Sequence, residues 1–136
     1  MTNPILALRG AILAHVQADT TLAALMGGAV RLHDEPPRAA EPVYAVFGDT
    51  AARDWSTRSD AGHAHEAAIV VWAREGGARA ALDAAARLEA LLHEAALTLD
   101  GHRLVSLRVT ALETTRDDKT NLARVTLRIT ALTEVV

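Results

Sequence analysis

The chain has 136 residues, half of them hydrophobic, and carries a formal net charge of −3. This length fits a single domain over residues 1–136, and the hydrophobic content is too high for a disordered chain. The negative charge argues against tight binding to nucleic acid or to anionic membranes, and the absence of cysteine excludes disulfides and thiolate chemistry.

The first predicted elements are two helices. Asn3 is a favourable N-cap and Pro4 stands at the first helical position, so a helix is expected over residues 4–18. A short second helix follows to residue 26, capped by Thr20 or Thr21. Two consecutive glycines then end it.

Two strands are predicted in the middle of the chain, over residues 42–48 and 65–72. The first is apolar on both faces, which indicates that something covers each side. Between the two strands, residues 49–64 show no periodicity and are rich in charge, serine and glycine. This segment is predicted to be the longest loop, and long loops in small domains are usually functional. Trp72, at the end of the second strand, is expected in the core or at its edge.

A long helix over residues 78–99 and a C-terminal hairpin complete the prediction. Helical spacing places one apolar face on the helix, marked by Leu82, Ala85, Leu88, Leu92, Ala95 and Leu99. Strict alternation over residues 105–111 and 125–131, with a polar turn at 117–119, predicts two antiparallel strands with one buried face. The expected fold is α+β, a mostly antiparallel sheet of four to five strands with two main helices on one face.

No catalytic, metal or cofactor site emerges from the sequence. His63 and His65, beside Glu66, are the nearest approach to a metal cluster, but a catalytic zinc needs three protein ligands and no third has suitable spacing. No nucleophile motif is present, and the paired carboxylates lie in solvated turns. The glycine pairs lack the context of a phosphate-binding loop.

Charge and composition favour self-association. Residues 34–66 hold seven acidic and three basic residues, whereas residues 103–128 hold six basic and three acidic residues. One acidic and one basic region allow head-to-tail contacts, which close into rings where the rotation permits. Alanine occupies 29 positions and only four residues are aromatic, so the core of the monomer is thin and burial between copies would add stability.

Two groups of residues are candidates for the contacts between copies. Trp55 stands in the charged loop, where it either folds back onto its own domain or is buried on assembly, since tryptophan and arginine dominate interface hot spots. The polar face of the hairpin carries Arg108, Arg124 and Arg128, either as a solvated face or as a binding surface.

The sequence resembles the tail-completion or tail-terminator family of long-tailed phages, prophages and gene transfer agents. The resemblance covers nearly the whole chain, and it rests on the order and spacing of several segments. These segments are LAALMGG, EPPRAAEPVYAVFGDT, DWST, AAIVVWARE, LTLDGHRLVSLRV and RDDKTNLARVTLRI.

The resemblance implies a structural protein without enzymatic activity or cofactor. Copies would assemble as a ring, usually a hexamer, that caps the tail tube, stops its polymerisation and offers a surface for joining the head. Its partners would be other copies, the major tail tube protein and head-tail connector proteins, with DNA only passing the lumen. The protein would act in the host cytoplasm during assembly and then in the particle. The interface residues implied by the family are Arg53, Asp54, Trp55, Ser56 and Thr57, and the next residue, Arg58, is a further candidate.

Three other functions were weighed against this one. A small ligand-binding or regulatory α+β module without catalysis would need a preformed apolar pocket, and alternating strands do not indicate one. A metal-dependent hydrolase would use His63 and His65. Direct DNA recognition is disfavoured because no helix is basic. No signal peptide or membrane-spanning segment is expected, since the longest apolar run is far shorter than the about 20 residues that cross a bilayer.

Overall fold

A computed structural model describes residues 2–39, 41–74, 77–116, 119 and 122–136. These residues form three helices and six strands. In chain order they are α1 (Pro4–Gln17), α2 (Thr20–Leu25), β1 (Leu32–His33), β2 (Val43–Asp54), β3 (Gly62–Ala73), α3 (Gly77–Leu92), β4 (Thr98–Leu99), β5 (His102–Arg116) and β6 (Ala123–Val135).

The six strands form one mixed sheet in the order β1-β2-β3-β6-β5-β4, curled into a half-barrel. Strand β1 runs parallel to β2, and all other neighbours are antiparallel. The α+β class is therefore confirmed, but the predicted count of four to five strands is wrong. Strands β1 and β4 were not predicted, because they have two residues each and are too short to show any periodicity.

The two central strands are longer than predicted, and most of the predicted loop belongs to them. Strand β2 continues to Asp54 and β3 begins at Gly62, so only residues 55–61 lie between strands instead of residues 49–64. The C-terminal hairpin is also longer than the predicted 105–111 and 125–131. Lys119 lies in a turn, as predicted, whereas positions 117 and 118 of the predicted turn lie outside the described residues.

Three β-bulges interrupt β2 and β5, the strands on either side of the central pair β3 and β6. In β2 the register shifts between Phe47 and Thr50, and in β5 it shifts between Val109 and Ala111 and again between Leu104 and Ser106. The bulge in β2 stands opposite Ala68, and the bulge after Val109 in β5 stands opposite Arg128. Because Ala68 and Arg128 are paired, these two bulges lie in the same row of the sheet. A bulge bends its strand and increases the twist, so this row is where the sheet curls.

Both α1 and α3 pack on one face of the sheet, as predicted. The core joins their buried residues to those of the strands, including Ile69 and Val71 of β3 and Leu127 and Ile129 of β6. We refer to the opposite surface of the sheet as the open face. Trp72 lies on this face, half-buried, and not in the core under the helices. None of the described helices is long and apolar enough to cross a membrane.

Helix α3 ends seven residues before the predicted position. Glu94 adopts a left-handed conformation with φ of 59°, which stops the helix, and its N–H donates to the carbonyl of Leu107 at 2.8 Å. The chain then runs along β5 and forms β4. The predicted apolar face of α3 is partly wrong, because Leu82 is 39% exposed whereas Ala81 and Ala84 are fully buried.

Caps fix the beginnings of the first two helices. The side chain of Asn3 accepts hydrogen bonds from the backbone of Ile5 and Leu6, as predicted for α1. The predicted caps of α2 were Thr20 or Thr21, but the residue that caps it is Asp19. Its carboxylate accepts from Leu22 N–H at 2.7 Å and from Arg87 of α3 at 2.7 and 2.9 Å.

The pKa of the Asp19 carboxyl predicts an acid-dependent contribution to stability. The Arg87 guanidinium, with help from the Leu22 N–H, lowers this pKa to about 2. A carboxyl whose pKa is lowered on folding stabilises the protein above its unfolded pKa, and this contribution is lost as the pH falls through the folded value. We therefore expect Asp19→Asn to lower the melting temperature at pH 7, with a difference from the wild type that shrinks between about pH 4 and pH 2.

Asp83→Asn is the matched control for that measurement. Asp83 pairs with Arg79 at 4.0 Å on the exposed surface of α3. Since such exposed pairs contribute little, this variant should melt like the wild type across the same pH range. A difference between wild type and Asp19→Asn that stays constant down to pH 2 would contradict the assignment.

Candidate assembly surfaces

The loop over residues 55–61, together with the ends of the strands that it joins, forms one tip of the sheet. Its backbone is held by hydrogen bonds: Trp55 N–H donates to Gly62 O at 2.9 Å, and Thr57 N–H donates to Asp60 O at 2.8 Å. The hydroxyl of Ser56 donates to Asp54 at 2.6 Å and accepts from Gly62 N–H at 3.2 Å. The tip is therefore a defined turn, although the sequence showed no pattern there.

Trp55 both packs on its own chain and faces solvent. A Cβ added to Gly62 would stand 3.2 Å from the Trp55 ring and 2.7 Å from Thr133 O, so the ring lies close against the backbone at Gly62. The residue is nevertheless 39% exposed. Trp55 therefore packs on its own domain, part of its ring remains accessible at the tip, and its burial on assembly stays a prediction.

The other five candidates of the tip are also exposed. Arg53 forms an ion pair of 3.5 Å with Glu66 on the open face. Arg58 stands near the middle of the turn, and no described residue pairs with its guanidinium. The candidates Arg53, Asp54, Trp55, Ser56, Thr57 and Arg58 are thus all exposed at this end of the sheet, and we call them together the tip surface.

Arg108, Arg124 and Arg128 lie on the open face, as their alternation predicted, but away from the tip surface. Arg128 donates to Glu113 at 2.7 Å, and this contact lowers the pKa of the Glu113 carboxyl. Arg108 pairs with Glu94 at 3.6 Å. Arg124, at the far end of the sheet from the tip, donates to Thr115 at 3.1 Å and places its guanidinium 5.4 Å from the centre of the Trp72 ring.

A depression of about 400 Å³ lies where the two aligned bulges curl the sheet. Its lining combines the acidic Asp49 and Glu66 with the basic Arg128 and the hydroxyls of Thr110 and Thr130. Charges of both signs in one depression suit polar contacts with another protein surface better than the binding of an apolar ligand.

Three histidines cluster near the tip, under the N-terminal residues. The ring of His63 lies 6.3 Å from the rings of His65 and His102, centre to centre. His65 contacts the Thr133 hydroxyl at 2.9 Å, and His102 contacts the Thr2 carbonyl at 2.8 Å. The Nδ1 atoms of all three are buried and bond to no described residue.

This cluster does not have the arrangement of a metal site. Among the described residues, no group of three histidine or acidic side chains could hold a metal ion. Glu66, the third member of the cluster considered from the sequence, belongs to the opposite face of the sheet, where it pairs with Arg53. The geometry therefore gives no support to a metal-dependent hydrolase that uses His63 and His65.

Comparison with known proteins gives matches over nearly the whole chain. Residues 10–134 match the family described as Tail completion protein gp17. The chain belongs to this family. A chain in the solved "Virion of native gene transfer agent (GTA) particle" is 30% identical, with a TM-score of 0.87 over 98% of this chain and 99% of that one.

A second solved chain is 18% identical, with a TM-score of 0.50 over 99% of this chain and 97% of that one, and shares the fold alone. A search of curated proteins finds no match. The family resemblance seen in the sequence is thus confirmed, and the chain has a structural role in a phage-type tail. The candidate residues remain a prediction for this tail completion protein.

Sequence reasoning missed Arg9, which holds α1 to the bulge in β2. Its guanidinium donates to Gly48 O at 3.2 Å and to Thr50 Oγ1 at 3.0 Å, and it lies 5.1 Å from the centre of the Phe47 ring. It also pairs with Asp34 at 3.7 Å. The available signal was a charged residue next to the buried face of a helix, which usually reaches a specific partner.

The position of Trp55 depends on the missing side chain at Gly62. An added methyl would meet backbone oxygens of Thr133 and Trp55 at 2.7 and 3.0 Å, and these cannot move aside without shifting β6 or the start of the loop. Gly62→Ala is expected to lower the free energy of unfolding by about 1–3 kcal/mol, measured by chemical denaturation. Gly10→Ala is the control: nothing lies within 4 Å of that position in α1, so it should stabilise the protein by about 0.5–1 kcal/mol.

Burial of the histidine cluster predicts a loss of stability in mild acid. Burial, followed by the nearby His63 and His102, lowers the pKa of His65 below its ordinary value of 6.5. The unfolded chain then binds the proton more readily, so stability is complete above about pH 6.5 and falls below it, by at most about 1.4 kcal/mol per pH unit.

Denaturation at pH 7, 6 and 5 should show this slope in the wild type and a shallower slope in His65→Asn. Thr133→Val removes the hydroxyl that contacts His65 but keeps the imidazole buried. Because burial is the main cause of the shift, this variant should retain the slope of the wild type. Equal slopes in wild type and His65→Asn would contradict the assignment.

Proposed function

We propose that this protein is a non-enzymatic ring subunit that caps the tail tube. Copies of the chain, six in a ring, stop polymerisation of the tube and provide the surface to which the head is joined. The observation that supports this most directly is membership of the tail completion family over residues 10–134. The likeness of the whole chain to a gene transfer agent virion chain agrees with it.

The partners in this proposal are other copies of the chain, the major tail tube protein and the head-tail connector proteins. DNA passes through the lumen as cargo, in keeping with the net charge of −3. The chain acts as one domain over residues 1–136, needs no cofactor, and moves from the host cytoplasm into the particle during assembly. Family membership favours this function over a small ligand-binding module.

The tip surface is the proposed contact with a neighbouring copy or with the tube, and Trp55 is its main anchor. A tryptophan that already rests on a rigid backbone loses little conformational freedom on binding, whereas its accessible ring gains burial. The surrounding polar residues would form the rim. The arginines of the open face, Arg108, Arg124 and Arg128, are the second proposed contact.

Native mass spectrometry, with electron microscopy of assembled particles, tests this function. The wild type should give a discrete ring, in solution or on the tube. We expect Trp55→Ser to weaken the ring about ten-fold or more, as the loss of an interface hot spot does. Leu82→Ser is the control, since Leu82 on α3 is also 39% exposed and should tolerate the change.

Equal effects of Trp55→Ser and Leu82→Ser on the ring would remove the tip surface from the interface. A wild-type chain that stays monomeric and is absent from purified particles would overturn the ring itself.

A further inference from the structure

We infer that neighbouring copies join by strand addition, with the outer edge of β5 at residues 111–115 of one copy against the outer edge of β2 at residues 50–54 of the next. This inference rests on the proposed ring and names its contact. It concerns the two sides of the sheet, and on the β2 side the edge includes Arg53 and Asp54 of the tip surface.

Each side of the sheet has a strand edge that the short outer strands leave uncovered. On one side, β1 pairs only with Ala45 and Val46 of β2. On the other side, β4 pairs only with His102 and Arg103 of β5, and Glu94 bonds to Leu107. Residues 50–54 pair with β3 and residues 111–115 pair with β6, but within the described residues no strand pairs with the outer edge of either segment. An uncovered edge presents unpaired backbone groups to another chain.

The end of β5 is uncovered on its faces as well as its edge. Leu112 is on the side of the helices, yet it is 40% exposed. Thr114 on the same side, and Glu113 and Thr115 on the open face, are exposed too. A strand with this exposure, and with an apolar side chain among its polar ones, has the character of an interface element.

Strand direction favours a second copy as the occupant. Strand β2 runs toward the tip, whereas β5 runs away from it, since β2, β3, β6 and β5 alternate in direction. A copy in the same orientation therefore places its β2 antiparallel to β5, which continues the pattern of the sheet. This contact is head-to-tail, the kind that closes into a ring.

Charge also favours this pairing. The acidic residues 34–66 lie in and around β1, β2 and the beginning of β3, whereas the basic residues 103–128 lie in β5 and the beginning of β6. The strand order thus sets the two charged regions on opposite sides of the sheet. Within the described residues, neither Asp49 nor Arg124 has an ion-pair partner of its own copy.

The two uncovered edges lie at opposite ends of the sheet, which makes the contact staggered. Residues 50–54 stand in the rows of residues 63–67, and residues 111–115 stand in the rows of residues 124–128. Pairing them shifts one copy along the strands by about five residues, or about 17 Å. A sheet that closes on itself requires such a stagger.

Disulfide cross-linking tests the contact, because the chain has no cysteine of its own. The variant Ala51→Cys carries its thiol on the open face and is combined in turn with Leu112→Cys, Glu113→Cys, Thr114→Cys or Thr115→Cys. Facing residues of paired strands share a face, so covalent ladders should form with positions 113 and 115 about ten-fold more than with 112 and 114. Asp54→Cys, on the side of the helices, should show the reverse preference.

The pair Leu6→Cys with Leu82→Cys, exposed on α1 and α3, is the control and should not cross-link between copies. Native mass spectrometry of the unmodified chain reports the ring separately. Detection of a ring without the alternating pattern of cross-links would overturn strand addition but would not contradict the proposed function. Neither ring nor cross-links, in solution or on particles, would overturn both.

Discussion

The paired strands β3 and β6 are the part of the structure on which the rest depends. Every residue of β3 from Gly62 to Ala73 pairs with β6, from Glu134 to Ala123, without a shift in register. A slip of one residue would turn every side chain of a strand to the other face. This pair therefore fixes which residues lie under the helices and which form the open face. The bulges occur in the neighbouring strands, so the sheet curls around a regular centre.

The bulges also explain where sequence reasoning succeeded and where it failed. Alternation located β6 and placed Arg124 and Arg128 on the open face, because β6 has no bulge. In β5 the same reasoning assigned Val105 and Ala111 to the buried face, but an extra residue stands at each of two bulges. Val105 is one of these extra residues and is 46% exposed, and Ala111 lies beyond the other, opposite Arg128. Alternation cannot reveal a bulge, because the bulge resets the phase.

The prediction of a loop over residues 49–64 was wrong for the same reason. In β2 the bulge shifts the inward positions from Ala45 and Phe47 to Thr50 and Ala52, so no single period runs through the strand. The position of Trp55 could be predicted only as a place in the chain, since the contact with Gly62 depends on pairing between strands. The end of α3 was not predictable from helical spacing, because a hydrogen bond from Glu94 to β5 decides it. Local patterns thus predicted elements well and tertiary contacts poorly.

The two groups of candidate residues differ in what they can contribute to a contact. Arg108 and Arg128 already pair with Glu94 and Glu113 on the exposed surface. Such pairs contribute about 0–1 kcal/mol, so exchanging them for contacts with a neighbour changes the affinity little. Their charges instead favour one orientation of approach and slow the wrong ones. Trp55 has no polar partner that it would lose on binding, and its apolar ring would be buried in the contact. The affinity of an assembly is therefore expected to come mainly from the tip surface and the strand edges, and its orientation from the arginines.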